Sequence, residues 1–262
     1  MDAVHAPDGT KIAVNQSGEG PPVVLVHGTS EDHTAWDGVR RILDRSFSTY
    51  TIDRRGRGGS GDANTYALDR EFEDVIAVID SIGEPVHLVG HSYGATCALG
   101  AAMGSDALER LVLFEPPLWT ASEDLAPEEP LSRIEAALDA GNQELALERF
   151  MVEVAKEGER LPYYRSLNSW AIRVDAAHTL PREIRSTDRF RPDASDFGEV
   201  HVPALVILGA ETQGHLPKGT RRAETLLSNS TLTVVEGIDH SALFSEPELV
   251  ATVIYDFLSE SR

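Results

Sequence analysis

The sequence predicts an α/β protein built on a doubly wound, mostly parallel sheet, with a helical lid inserted between two of the strands. Three observations predict it. Short, nearly continuous apolar runs rich in β-branched residues alternate with stretches of helical spacing, the pattern of strands buried on both faces by crossover helices. The alternation breaks once, between residues 117 and 200, where apolar residues keep a helical spacing and no strand pattern appears. With 262 residues, 41% of them hydrophobic, the chain is long enough for one sizeable core.

Taken in order, the first strand is Val23 to Val26, ending at His27-Gly28, and the second is the run STYTID, ending at Asp53. Leu68, Phe72, Val75, Ile76, Ile79 and Ile82 recur at three and four, laying one apolar stripe along a helix. Val86 to Val89 is the next strand, and Ala95 to Met103 a helix of small residues. Leu111 to Phe114, Leu205 to Leu208 and Leu232 to Val235 read as further buried strands. Between them Leu131, Ile134 and Leu138, then Leu145, Phe150, Met151 and Val154, then Leu167, Trp170, Ala171 and Val174 are spaced as helices. Pro127, Pro130, Pro162, Pro181 and Pro192 punctuate that stretch, giving three or four helices. The organisation expected is one core domain from 1–116 and 201–262, with a lid at 117–200.

Composition excludes several functions. Lys and Arg number 23 against 43 Asp and Glu, a formal net charge of −20, and phosphate binding needs clustered cations, so nucleic acid is not a partner. The negative charge is spread almost in proportion to length, without an acidic tail, and works against anionic substrates. A single cysteine, Cys97, rules out a disulfide framework and a thiolate cluster and points to a reduced, cytoplasmic setting. No secretory pattern opens the chain. The longest uncharged run, Pro85 to Ser105, divides into a strand-like half and a small-residue helical half, so no membrane span is expected. Oligomeric state is not fixed by the sequence, and a homodimer is compatible with it.

The sharpest motif is Gly90-His91-Ser92-Tyr93-Gly94, a G-x-S-x-G between a strand and a helix. A serine on that tight turn is held with its hydroxyl exposed, and the flanking glycines avoid collision with the neighbouring strand and helix. A nucleophilic serine needs a base, and the base an orienting acid. Of nine histidines, His240 lies past the last strand, in Gly237-Ile238-Asp239-His240, at the sheet edge where catalytic groups of open α/β sheets collect. His27, His87 and His91 lie in or against strands and read as packed groups, whereas His5, His33, His178, His201 and His215 have no supporting context. Gly56 to Gly61 satisfies G-x-G-x-x-G, but turn formers follow it instead of a helix, so no nucleotide cofactor is expected. No histidine, cysteine and carboxylate cluster has ligand spacing, and no metal is expected.

With these motifs in place, the chain resembles the α/β-hydrolase superfamily over nearly its whole length. The resemblance is carried by GEGPPVVLVHG followed by Trp36, by Asp53 to Ser60 (D-x-R-G-x-G-x-S), by Gly90 to Gly94 and by Gly237 to Glu248. It implies Ser92 as nucleophile, His240 as base, and the backbone N–H groups of Thr29 and Tyr93 as the oxyanion hole. The acid departs from the common pattern: Thr212 stands where most members carry Asp after the strand that follows the lid. Glu115, directly after the strand preceding the lid, is the preferred substitute, as in haloalkane dehalogenases and zearalenone lactonases; Glu211 is the alternative. Serine at the elbow speaks against dehalogenase or epoxide hydrolase chemistry, which uses Asp there. The expectation is a cofactor-independent serine hydrolase acting on a carboxylic ester or lactone of a neutral, apolar small molecule. The competing readings are a slow ligand sensor that signals to a protein partner, a carbon–carbon bond hydrolase and an acyltransferase. Lid aromatics Trp119, Phe150, Tyr163, Tyr164 and Trp170 are candidates to line the substrate pocket, and Cys97 reads as a small buried residue.

Overall fold

The structure is a computed structural model that describes residues 2–119 and 128–260; Pro127 and part of the expected lid, 120–127, lie outside them. Eight strands form one sheet in the order β1-β2-β4-β3-β5-β6-β7-β8. The strands are β1 (Asp2–His5), β2 (Lys11–Ser17), β3 (Pro22–Val26), β4 (Ser48–Ile52), β5 (Val86–His91), β6 (Leu108–Phe114), β7 (Ala204–Gly209) and β8 (Ser230–Val235). All neighbours from β4 to β8 pair in parallel. β1 and β2 form an antiparallel hairpin that joins the sheet antiparallel to β4. The sequence reading did not assign this hairpin: β1 is mostly exposed and β2 is polar in its second half, so neither shows the continuous apolar run of a central parallel strand.

Helices α1 (Asp37–Leu43), α2 (Leu68–Ile82) and α3 (Tyr93–Ala102) follow the early strands, α9 (Leu216–Leu226) joins β7 to β8, and α10 (Ala242–Ser245) and α11 (Pro247–Ser259) close the chain. Strand residues alternate between two cores. Val24, Val26, Leu111 and Leu113 pack with α2, α3 and α9, while Val23, Leu25, Val112 and Phe114 pack with α1 and α11 on the opposite face. Burial on both faces explains why the strands read as unbroken apolar runs. Leu232 to Val235 behaves differently. β8 is an edge strand and only partly buried, with Val234 43% exposed, because nothing pairs with its outer side.

Between β6 and β7 the described residues contain helices and turns but no strand. Helices α4 (Glu128–Asp139), α5 (Gln143–Arg149), α6 (Leu161–Ser166), α7 (Trp170–Asp175) and α8 (Leu180–Arg189) are five, more than the three or four expected. The prolines account for the difference: Pro162 and Pro181 stand in the first turns of α6 and α8, where a missing N–H costs nothing, so they open helices instead of merely separating them. The segment has its own small core, including Ile134, Leu147, Met151, Tyr164, Leu180 and Ile184. No helix among the described residues is long and apolar enough to cross a membrane.

Candidate active site

Ser92 joins β5 to α3 with φ 54° and ψ −126°, a backbone conformation that a residue with a side chain adopts only under constraint. The constraint is visible at both glycines. A Cβ on Gly94 would collide with the carbonyl oxygens of Val26 and His27, and one on Gly90 would lie 2.6 Å from the Cα of Ala95. The Ser92 N–H donates to Phe114 O at 2.8 Å, tying the turn to the end of β6.

His240 lies on the loop after β8. Gly237, with φ 77°, lets the chain reverse, and Asp239 accepts from Ser241 N at 2.9 Å and Ser241 Oγ at 2.6 Å, fixing the loop through its own side chain. His240 Nε2 is 3.1 Å from Ser92 Oγ and Nδ1 is 2.6 Å from Glu115 Oε2. Burial pushes the imidazole pKa down, but the hydrogen bond to Glu115 and the negative charges of Glu157, Glu115 and Glu31 outweigh it and raise it to about 9.

Glu115 is wholly buried one residue beyond β6, with φ 49°. Its Oε2 faces His240, while Oε1 accepts from Gly209 N at 2.8 Å and Thr212 Oγ1 at 2.5 Å. Thr212, where the sequence pattern leads one to look for an acid, is thus a donor to the Glu115 carboxylate. Glu211 is exposed, its N–H donates to Ile238 O, and it is Glu115 whose carboxylate meets His240. Strands β5 and β6 and the β8 loop therefore bring Ser92, Glu115 and His240 into one hydrogen-bonded chain.

That chain opens into a cavity of about 620 Å³, which Thr29 and Tyr93 line together with Ser92 and His240. Tyr93 is the first residue of α3, so its N–H has no partner within the helix. Trp119, stacked on His215 with ring centres 4.8 Å apart, lines the cavity, as do Phe150 and Tyr164. Tyr163 and Trp170 are not among the lining residues, which corrects the expectation for both. Tyr163 lies against Tyr164, and the Trp170 indole donates to Glu144 on the outer side of the segment. Helical spacing marked an apolar stripe there without distinguishing the inner face from the outer one.

Of the remaining histidines, His27, His87 and His91 are buried, as packed groups should be. His27 is pushed down to about 3, by burial first and then by Arg54 and Arg57, and stays neutral; its Nε2 accepts from Arg54 N at 3.2 Å. Burial also lowers His91, whose ring packs 4.6 Å from that of His240. His33, which had no sequence context, has its Nδ1 2.7 Å from Asp53. Asp32, His33 and Asp53 cluster closely enough for three ligand atoms, yet Asp32 accepts from Thr34 and Asp53 from the N–H groups of His33 and Gly59. The Gly56 to Gly61 motif folds over this carboxylate, with Ser60 Oγ donating to Asp53 O at 2.5 Å.

Sequence reasoning missed the buried charges beside the site. Glu31 pairs with Arg173 at 2.7 Å, and Arg54 joins Glu71 at 2.8 Å and Glu183 at 2.9 Å. Two signals were available: consecutive arginines after a buried strand, and Glu71 and Asp74 on the apolar side of α2. Neither identifies partners more than a hundred residues away.

Residues 23–253 match the model of the alpha/beta hydrolase family. Over 99 residues the chain is 40% identical to the probable oxidoreductase EphD of Mycobacterium tuberculosis, a match spanning 35% of this chain and only 17% of that protein. It is 26% identical to 2-(acetamidomethylene)succinate hydrolase of Mesorhizobium japonicum, over 94% of this chain and 90% of that one. Among solved structures, an alpha/beta hydrolase from Sphaerobacter thermophilus superposes with a TM-score of 0.85 at 30% identity, covering 98% of this chain and 100% of that one. Sheet order, elbow geometry and these matches agree that the chain belongs to the alpha/beta hydrolase family.

Proposed function

We propose that the protein is a serine hydrolase that cleaves a carboxylic ester or lactone of a neutral, apolar small molecule through an acyl-enzyme on Ser92. The observation that carries this reading is the hydrogen-bonded chain from Ser92 Oγ through His240 to Glu115, 3.1 and 2.6 Å long at its two links, at a cavity. His240 takes the Ser92 proton as Oγ attacks the acyl carbonyl and returns it to the leaving oxygen; water then enters by the same route in reverse. Glu115 orients the imidazole and stabilises its charged form. The Thr29 and Tyr93 amides receive the oxyanion, a contribution worth about 10²–10³ in rate for each donor.

Substrate polarity is read from the walls. Trp119, Phe150, Met151 and Ile184 line the cavity; of the charged residues on its surface, Glu31, Arg173, Glu183 and Glu153 are engaged in ion pairs, and Lys156, Glu157 and Asp188 line it as well. The inserted segment, 117–200, supplies many of these walls and serves as a cap on the core. The hydrolase acting on 2-(acetamidomethylene)succinate makes an acyl compound bearing carboxylates the comparison substrate for the same site.

The test is turnover of short p-nitrophenyl esters, a lactone panel and 2-(acetamidomethylene)succinate by wild type, Ser92→Ala, Glu115→Gln and Glu211→Gln. Ester or lactone hydrolysis that Ser92→Ala abolishes, Glu115→Gln cripples and Glu211→Gln spares supports the reading. Labelling by a fluorophosphonate without turnover of any substrate favours the ligand sensor instead.

A further inference from the structure

Gly28 is held on both sides by charged groups. Its N–H donates to Glu31 Oε2 at 2.9 Å, and its carbonyl accepts from Arg54 Nη1 at 3.1 Å and from His27 Nδ1 at 2.9 Å. A trans peptide is planar, so the Gly28 carbonyl and the Thr29 N–H share one rigid unit and point in opposite directions. Whatever fixes that carbonyl also aims the Thr29 N–H, one of the two oxyanion donors of the proposed mechanism.

Each clamp leads across to the inserted helices. Glu31 Oε1 accepts from Arg173 Nη2 at 2.7 Å. The Arg173 guanidinium in turn lies 4.8 Å from the ring centres of Tyr164, on α6, and Phe244, four residues beyond His240. On the other side, Arg54 Nη2 donates to Glu183 Oε1 at 2.9 Å, and Arg57 donates to the same carboxylate. Arg173 is on α7 and Glu183 on α8. These charges are almost wholly buried, with Arg54 and Glu183 each 1% exposed. Buried ion pairs are seldom more stabilising than apolar packing of the same volume. Here, though, they do something apolar packing cannot, which is to hold both polar groups of Gly28 at fixed angles.

We infer that the inserted segment helps to set the oxyanion hole: Glu183 acting through Arg54 holds the carbonyl of the Gly28–Thr29 peptide, and Arg173 acting through Glu31 holds the preceding His27–Gly28 peptide, so that the Thr29 N–H is turned toward the reacting carbonyl. The four are positioning residues: with α7 and α8 undocked, the His27 ring alone is left to hold the Gly28 carbonyl, and the Glu31 and Arg54 contacts lose the partners that fix them. The inference rests on the serine-hydrolase reading above.

The experiment compares wild type with Arg173→Met, Arg173→Lys, Glu183→Gln and Arg182→Met. It measures kcat and KM on a short p-nitrophenyl ester, inhibition by phenylboronic acid, and Tm. A boronate bound to Ser92 is tetrahedral and puts an oxygen in the hole, whereas KM reports ground-state binding. Arg173→Met and Glu183→Gln are expected to lower kcat by about 10- to 100-fold, part of the loss typical of removing a donor. Phenylboronate affinity should fall in step, KM should stay within about threefold, and Arg173→Lys should recover part of kcat. Arg182 also ties the segment to the core, through Asp62 at 2.7 Å and Arg55 O at 3.0 Å, but touches neither clamp; Arg182→Met should keep kcat. If Arg173→Met does not fold, Glu31→Gln/Arg173→Met removes both charges and should show the same kcat loss. The inference is overturned if kcat survives in these variants, if KM rises while boronate affinity holds, or if Arg182→Met is equally damaged. A wild type that neither turns over esters nor reacts with a fluorophosphonate overturns the serine-hydrolase reading, and this inference with it.

Discussion

Thr212 donates its hydroxyl to Glu115 Oε1 at 2.5 Å, so the loop after β7 holds the carboxylate whose other oxygen faces His240. Losing a hydrogen bond to a charged group costs about 1.5–3 kcal/mol. Thr212→Val is therefore expected to lower kcat/KM by roughly tenfold to a hundredfold if that loss falls on the orientation of Glu115. Steady-state kinetics beside Glu115→Gln checks it: the glutamine variant should be the more impaired, and Thr212→Val unchanged from wild type would show that Gly209 N suffices.

The pH profile follows from His240. A general base must be neutral, and its pKa is raised to about 9, so kcat/KM should climb with pH and reach half its plateau near pH 9. In Glu115→Gln the hydrogen bond to the carboxylate and one of the three raising charges are lost while Glu157 and Glu31 remain, so the midpoint should move down from about 9 toward the ordinary histidine value, about 6.5, even as the plateau falls. Initial rates from pH 5 to 10 decide between this and an unshifted limb.

Acid should loosen the inserted segment before the sheet. Burial pushes the Glu183 carboxyl up, but Arg54 and Arg57 more than compensate and lower it to about 2; Arg173 likewise helps to hold Glu31 below the usual carboxylate range. A depressed carboxylate stabilises the fold above its unfolded pKa, and that contribution drains away as pH falls through the folded value. The expected window runs from about pH 4 to about pH 2, read as loss of near-ultraviolet circular dichroism. Glu183→Gln should flatten the slope within that window.

Gly94→Ala should destabilise the fold or prevent folding. Its Cβ would meet the backbone carbonyls of Val26, the last residue of β3, and of His27 just beyond it, which the sheet holds in place. Overpacking of a fixed core costs typically about 1–3 kcal/mol, here expected at the upper end. Thermal melts of Gly94→Ala beside Ala95→Gly give the comparison.

Trp119 and Phe150 should govern affinity for the acyl group and Trp170 should not. Truncating either cavity residue to alanine is expected to raise KM for longer acyl esters severalfold with little change for acetate. Trp170→Ala, on the outer side, should leave both unchanged. An equal response of all three would place Trp170 nearer the substrate than its hydrogen bond to Glu144 does.

The sheet and the elbow were legible because each rests on a local signal. Val23 to Val26 reads as a buried strand from four residues, and Gly90 to Gly94 demands its turn from five. Glu115 was legible from its place one residue past β6. The Thr212 hydroxyl was not, since its value lies in a partner 97 residues away. The same limit hid Glu31 and Arg173, 142 residues apart, whose pairing exists only once the segment folds over the core. The β1–β2 hairpin escaped notice for a different reason: an edge strand needs little apolar surface, so its sequence hardly differs from that of a loop.

His240 hangs beyond β8, the outermost strand, which pairs on one side only with β7. Ser92 and His240 are 148 residues apart, which at about 5–20 residues per second of synthesis is a delay of roughly 7–30 s. During that interval a nascent chain carries a serine with no base beside it. In the proposed mechanism, therefore, the nucleophile is synthesised well before its base, which arrives only with the edge of the sheet.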